Sequence, residues 1–120
     1  MTIQLTSIQK GILIEGQLNG DVVNNIGGYQ IYRCTIDTAL YEQARAMLIT
    51  HHDALRLVFN AEKDGLELKE ETCGTLGYQD FSTSAEPAKD ALSWIQNQMS
   101  LPFVDVCCGL FEDALVKISE

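Results

Sequence analysis

Between Asp37 and Phe59 the chain reads DTALYEQARAMLITHHDALRLVF, and the period of its apolar positions changes partway along. Leu40, Ala44, Met47 or Leu48, and His51 recur at helical spacing and predict one buried helix face. Asp37 suits the N-cap, and Glu42 lies towards the positive end of the helix dipole. Beyond a polar elbow, Leu55, Leu57 and Phe59 alternate with Arg56, Val58 and Asn60, which predicts a strand with the two groups on opposite sides. A helix feeding directly into a half-buried strand implies one layer packed on another.

Earlier in the chain, Thr6-Ser7-Ile8-Gln9 has the form of a capping box. A short helix over Thr6–Glu15 follows, with Gly16 as its expected C-cap. Gln17 to Gly28 is rich in Asn, Gly and Asp and predicts a loop. Tyr29–Ile36 has the aromatic and β-branched content of a strand. After the central helix, the Asp64-Gly65 turn predicts an antiparallel hairpin of Arg56–Asn60 with Leu66–Glu70. A further short strand is expected at Leu76–Phe81. Pro87 opens a last long helix, whose buried stripe is read as Ala88, Ala91 or Leu92, Ile95 and Met99, with Trp94 beside it. Leu110–Ile118 is the final strand. The order predicts an α+β fold (an α/β sandwich), with a mixed, largely antiparallel sheet and helices packed on it, in a single domain over residues 1–120. An apolar strand this close to the last residue leaves a sheet edge to be covered, by the rest of a longer protein or by a second copy.

Composition narrows the classes of partner. The 120 residues are 46% hydrophobic, enough for a globular core, and no apolar run approaches the roughly 20 residues of a membrane span. The start, MTIQLTSIQKG, lacks the basic end and apolar core of a signal peptide, so the cytoplasm is the expected compartment. Seventeen Asp and Glu against eight Lys and Arg give a net charge of −9, which disfavours nucleic acid and anionic membranes. A protein or a small molecule is the expected partner. Cys34, Cys73, Cys107 and Cys108 form no C-x-x-C, and with two histidines they lack zinc-site spacing, so reduced thiols are expected and no metal. No Walker loop, Ser-His-Asp set or glycine fingerprint is present to suggest another chemistry.

Four stretches, taken in order, carry a resemblance. LTSIQKGILIEGQL (Leu5–Leu18) resembles an opening L-T-x-x-Q segment, and NNIGGYQIYRCTID (Asn24–Asp37) a Y-N-I strand entry with Asn24 in place of tyrosine. HHDALRLVF (His51–Phe59) resembles R-H-E-x-L-R-T-x-F, and LPFVDVCCGLFEDALVKI (Leu101–Ile118) resembles P-F-D-L…G-P-L-F-R, with Glu112 where that pattern has a cation. Together they resemble the front part of a condensation domain from nonribosomal peptide synthetases, a family with the chloramphenicol-acetyltransferase-like fold. The resemblance implies most of one lobe of a two-lobed domain. The complete domain joins a phosphopantetheine-borne acyl or peptidyl donor to an aminoacyl acceptor, acting with carrier-protein domains and the remainder of the synthetase.

The same resemblance implies that the reaction centre, H-H-x-x-x-D-G, falls beyond Glu120. His51-His52 does not supply it, because Arg56 and Leu57 stand where Asp and Gly are required. His52, Asp53, Leu55 and Arg56 match the earlier family motif instead. Arg56 resembles the arginine that pairs with the reaction centre's aspartate; without that aspartate, solvation or pairing with a local carboxylate such as Asp53 is expected. No catalytic residue, bound cofactor or turnover is therefore expected of this chain alone. Three readings stay open: a segment of a condensation domain, a free-standing non-catalytic interaction module that is homodimeric through its terminal strand, and an acyltransferase completed by a second chain. The acidic balance argues mildly against carrier domains docking directly on this surface, since those are usually acidic too.

Overall fold

The first helix starts where its local chemistry dictates. The Thr6 Oγ1 accepts from the Gln9 N–H at 3.2 Å, and the Gln9 side chain accepts from the Thr6 N–H at 2.8 Å, which completes the capping box. The computed structural model describes residues 2–20, 22–71, 74–103 and 109–120. Within these, β1 is Thr2–Gln4, α1 Ser7–Asn19, α2 Thr38–His51, β2 Leu57–Phe59, β3 Gly65–Leu68, β4 Gly77–Asp80, α3 Pro87–Met99 and β5 Ala114–Lys117. A 3-10 turn, Asp53–Arg56, joins α2 to β2.

The class is α+β, as the element order predicts, and the strands divide between two sheets. One is antiparallel in the order β1-β3-β2, and the other is the parallel pair β4-β5 with α3 as its crossover. The hairpin is read correctly, with Val58 opposite Glu67 and Phe59 opposite Leu66. β1 was not foreseen; three residues offer too little alternation to read, and it forms because β3 presents a free edge to it.

Several faces differ from expectation. On α2 the expected stripe Leu40, Ala44, Met47, Leu48 and His51 is exposed, and the inward residues are Tyr41, Arg45 and Ile49, also spaced at i, i+4, i+8. In β2 the buried residue is Val58, and Asn60 just beyond the strand is buried with it, while Leu57 and Phe59 are half-buried. α1 continues past Gly16 to Gly20, whose φ of +106° gives the positive-φ stop that glycine adopts easily. The face of α3 is rotated by one position, with Ala91 buried, Trp94 and Ile95 half-buried, and Ala88 and Met99 exposed.

Tyr29–Ile36 is not a strand. Among the described residues it has no ladder neighbour, and Tyr29, Ile31 and Tyr32 stand exposed. The Asn-rich loop before it does structural work, because the Asn25 side chain donates to the Met99 and Leu101 carbonyls at 3.3 and 2.8 Å. Asn24 donates likewise to the Ile12 carbonyl, so the loop ties α1 to the end of α3. The core is small: Leu5, Ile49, Val58, Leu66 and Ala91 are its buried apolar members among the described residues.

Candidate functional site

The residues singled out by motif lie together at the junction of α2, the 3-10 turn and β2. His51 places Nδ1 2.8 Å from the Met47 carbonyl in the last turn of α2, and His52 caps that helix from an exposed position. Among the described residues no hydrogen bond joins either ring to a serine, a cysteine or a carboxylate. Leu55 is half-buried and holds the turn through its N–H to the His52 carbonyl at 3.0 Å.

Arg56 is the most constrained of the four. Its Nη2 donates to Asp53, so of the two expectations the local ion pair is the one that forms. Its Nη1 donates to the Lys69 carbonyl at 3.0 Å, and its own carbonyl accepts from the Lys69 N–H at 3.0 Å. The side chain is thus laid along the end of β3. Its Nε is buried and has no partner among the described residues. An unmatched buried donor is costly, and it marks a place where an acceptor would be stabilising. Chemically, the turn offers one oriented guanidinium, and no nucleophile–base pair occurs at it among the described residues.

A second polar node was missed from sequence. Arg45, on the inward face of α2, grips the Asp113 carboxylate through Nε at 2.9 and 2.8 Å and Nη2 at 2.8 Å. The same Nη2 reaches the Gly74 carbonyl at 3.2 Å, and the guanidinium carbon lies 5.6 Å from the centre of the Phe111 ring. The available signal was a charge in register with Tyr41 and Ile49, on a face other than the one richest in apolar residues.

Two open clefts lie among the described residues. One, of about 290 Å³, lies between Thr38 and Glu42 of α2 and Leu76, just before β4, with Tyr78 and Leu115 of the parallel pair. The other, of about 630 Å³, lies between α1 and the β1–β3 edge, with Lys10 and Lys63 at its margin. No group of three or more metal-ligating side chains occurs among the described residues, and no helix among them is long and apolar enough to cross a membrane. Cys34 is exposed; Cys73, Cys107 and Cys108 lie outside the described residues, as does part of the Leu101–Ile118 motif.

No protein-family model and no curated protein sequence matches the chain. Solved structures do. The starter condensation domain of rhizomide synthetase matches with a TM-score of 0.87 at 30% identity, over 99% of this chain and 31% of that one. A substituted form of it, in complex with C8-CoA, matches with a TM-score of 0.86 at 30% identity, over 99% of this chain and 28% of its own. The first condensation domain of the calcium-dependent antibiotic synthetase shares the fold, with a TM-score of 0.74 at 19% identity over 99% of this chain and 30% of that chain. The chain thus spans less than a third of the length of the structures it matches.

Proposed function

We propose, for a chain that has the fold of the N-terminal part of a nonribosomal peptide synthetase condensation domain, that it works as one piece of such a domain in an amide-forming acyl transfer. The observation that carries this reading is surface. A folded monomer of 13.3 kDa exposes roughly 6,500 Å², whereas this chain exposes 9059 Å². Large apolar side chains stand exposed on three features in particular: α1, with Ile8 and Leu18 each 77% exposed; the outward face of α2; and the extended segment around Ile26, Tyr29 and Ile31. Each is a face that a further layer of the same domain would cover.

In this reading residues 1–120 form most of one lobe and have no turnover alone. The donor is an acyl group carried as a thioester on phosphopantetheine, the acceptor is an aminoacyl amine, and the partners are carrier-protein domains in the cytoplasm. The likeness to a starter domain solved with C8-CoA favours a simple acyl thioester as donor. His52, Asp53 and Leu55 shape the turn, and Arg56, held there by Asp53 and the Lys69 carbonyl, is the residue that meets the aspartate of the reaction centre. Neither a metal nor nucleic acid enters the reaction.

The test is the intact mass of the native polypeptide, detected in its source cell with an antibody to this segment. A product far larger than 13.3 kDa that forms amide from an acyl thioester and an aminoacyl thioester is expected. A product of 13.3 kDa would overturn the reading in favour of a free-standing interaction module, and sedimentation would then ask whether it dimerises.

A further inference from the structure

The parallel pair β4-β5 is too small to hold its own position. Two strands with one crossover helix need a layer to pack on, and the side that meets α2 is occupied in part by the 290 Å³ cleft rather than by side chains. What spans that interface is Arg45. Its guanidinium holds the Asp113 carboxylate, one residue before β5, and the Gly74 carbonyl, three residues before β4. Asp113 is fixed a second time by its backbone, since its carbonyl accepts from the Gly77 N–H at 3.0 Å. Both strands run away from this point in the same direction, so a single side chain on α2 pins the start of each. The pair is part-buried, with the Arg45 side chain 14% and the Asp113 side chain 30% exposed, so water screens it less than a surface ion pair.

We infer that Arg45 is a positioning residue: by clamping Asp113 and Gly74 it fixes β5 relative to α2, and hence relative to Arg56 on the 3-10 turn that follows that helix. The inference rests on the function proposed above, in which the reaction centre follows β5 and its aspartate meets Arg56. α2 is a rod of 14 residues, so a guanidinium in its middle and one just past its end move together. Loosening the clamp leaves Arg56 on its turn and lets β5 shift against it. Small displacements of reacting groups cost rate far more than they cost binding.

The experiment compares Arg45→Met, Asp113→Asn, Arg45→Lys and the double variant Arg45→Met/Asp113→Asn in the polypeptide as its source cell makes it. Hydrogen exchange of the β5 amides is expected to speed up tenfold or more in the first two, with the β2–β3 hairpin amides unchanged. Turnover is expected to fall about 10- to 100-fold with KM for the acyl donor within about twofold. The double variant is expected to be no worse than either single one, and Arg45→Lys to recover part of the loss. Additive losses, or hairpin amides that loosen together with β5, would overturn the clamp. Loosened β5 amides with unchanged turnover would overturn the positioning role. A wild-type polypeptide that forms no amide would remove the proposed function, and the exchange data would still decide whether the clamp exists.

Discussion

Asn60 is a polar side chain at one of the most buried positions of the chain, 6% exposed, and its neighbours explain why. Its Oδ1 accepts from the N–H groups of Asp64 and Gly65 at 3.0 and 3.2 Å, while its Nδ2 donates to the Asp64 carboxylate at 2.6 Å. These bonds close the hairpin turn in which Lys63 takes a φ of +56°, in the left-handed region that few residues other than glycine occupy. Asn60→Ala strands the buried Gly65 N–H and the part-buried Asp64 N–H, so a loss of about 1–3 kcal/mol is expected, read as a lower urea midpoint at constant slope. Asn60→Asp keeps the acceptor but sets a carboxylate against Asp64; its loss is expected to be largest at neutral pH and to shrink on acidification. Asp80 shows the opposite electrostatics. The Ser82 hydroxyl and then the Ser82 N–H, at 2.6 and 2.8 Å, hold its carboxyl below the usual range, with Lys117 adding a smaller pull. The unfolded chain therefore takes up that proton first. The stabilisation is complete above the ordinary carboxylate value and is lost as pH falls through the lower native one. Ser82→Ala is expected to raise the Asp80 titration towards its ordinary value, measured by carboxyl NMR.

At the scale of elements, close approach decides which substitutions β4 tolerates. A Cβ built on Gly77 would lie 3.0 Å from the Ala114 Cβ and 3.4 Å from the Asp113 carbonyl oxygen, so the two parallel strands meet without room for a branched side chain. Gly77→Val is expected to cost about 1–3 kcal/mol and to accelerate exchange in β5 before the hairpin. What was legible in the sequence divides along the same line. Features fixed within a few residues were readable: the Thr6 capping box, the Asp37 cap, Pro87 at the start of α3 and the β2–β3 hairpin, although its turn bends at Lys63 rather than at Asp64-Gly65. Features that need a neighbour were not. Tyr29–Ile36 has strand composition and no ladder, and α2 presents Leu40, Met47 and Leu48 outward while burying the face that carries Arg45. Apolar spacing identifies faces that seek cover, but it does not say which of two is covered by this segment. For Arg56 the sequence left solvation and a local pair with Asp53 both open, and the pair forms, whereas the Arg45–Asp113 pair joins positions 68 residues apart that no local pattern connects.

The misread faces of α2 and the unpaired segment have one cause at the scale of the molecule. The chain is a slab 47 by 33 by 19 Å with a radius of gyration of 16.5 Å, where a self-contained domain of this length has about 13.6 Å. A body only 19 Å thick holds little more than one helix layer against one sheet layer, and its outer helix faces remain open. Leu48, on the outward face of α2, distinguishes a free slab from a covered one. In the isolated 120-residue segment Leu48→Glu replaces an exposed apolar side chain by a charge. Stability is then expected to stay within about 0.5 kcal/mol, with weaker binding of a hydrophobic dye. In the longer polypeptide proposed here the same glutamate is buried without a partner, and a loss of at least about 2 kcal/mol is expected. Opposite outcomes in the two contexts locate the covering layer on α2. Equal, negligible effects in both would mean that this face stays in water and that the layer covering the chain lies elsewhere.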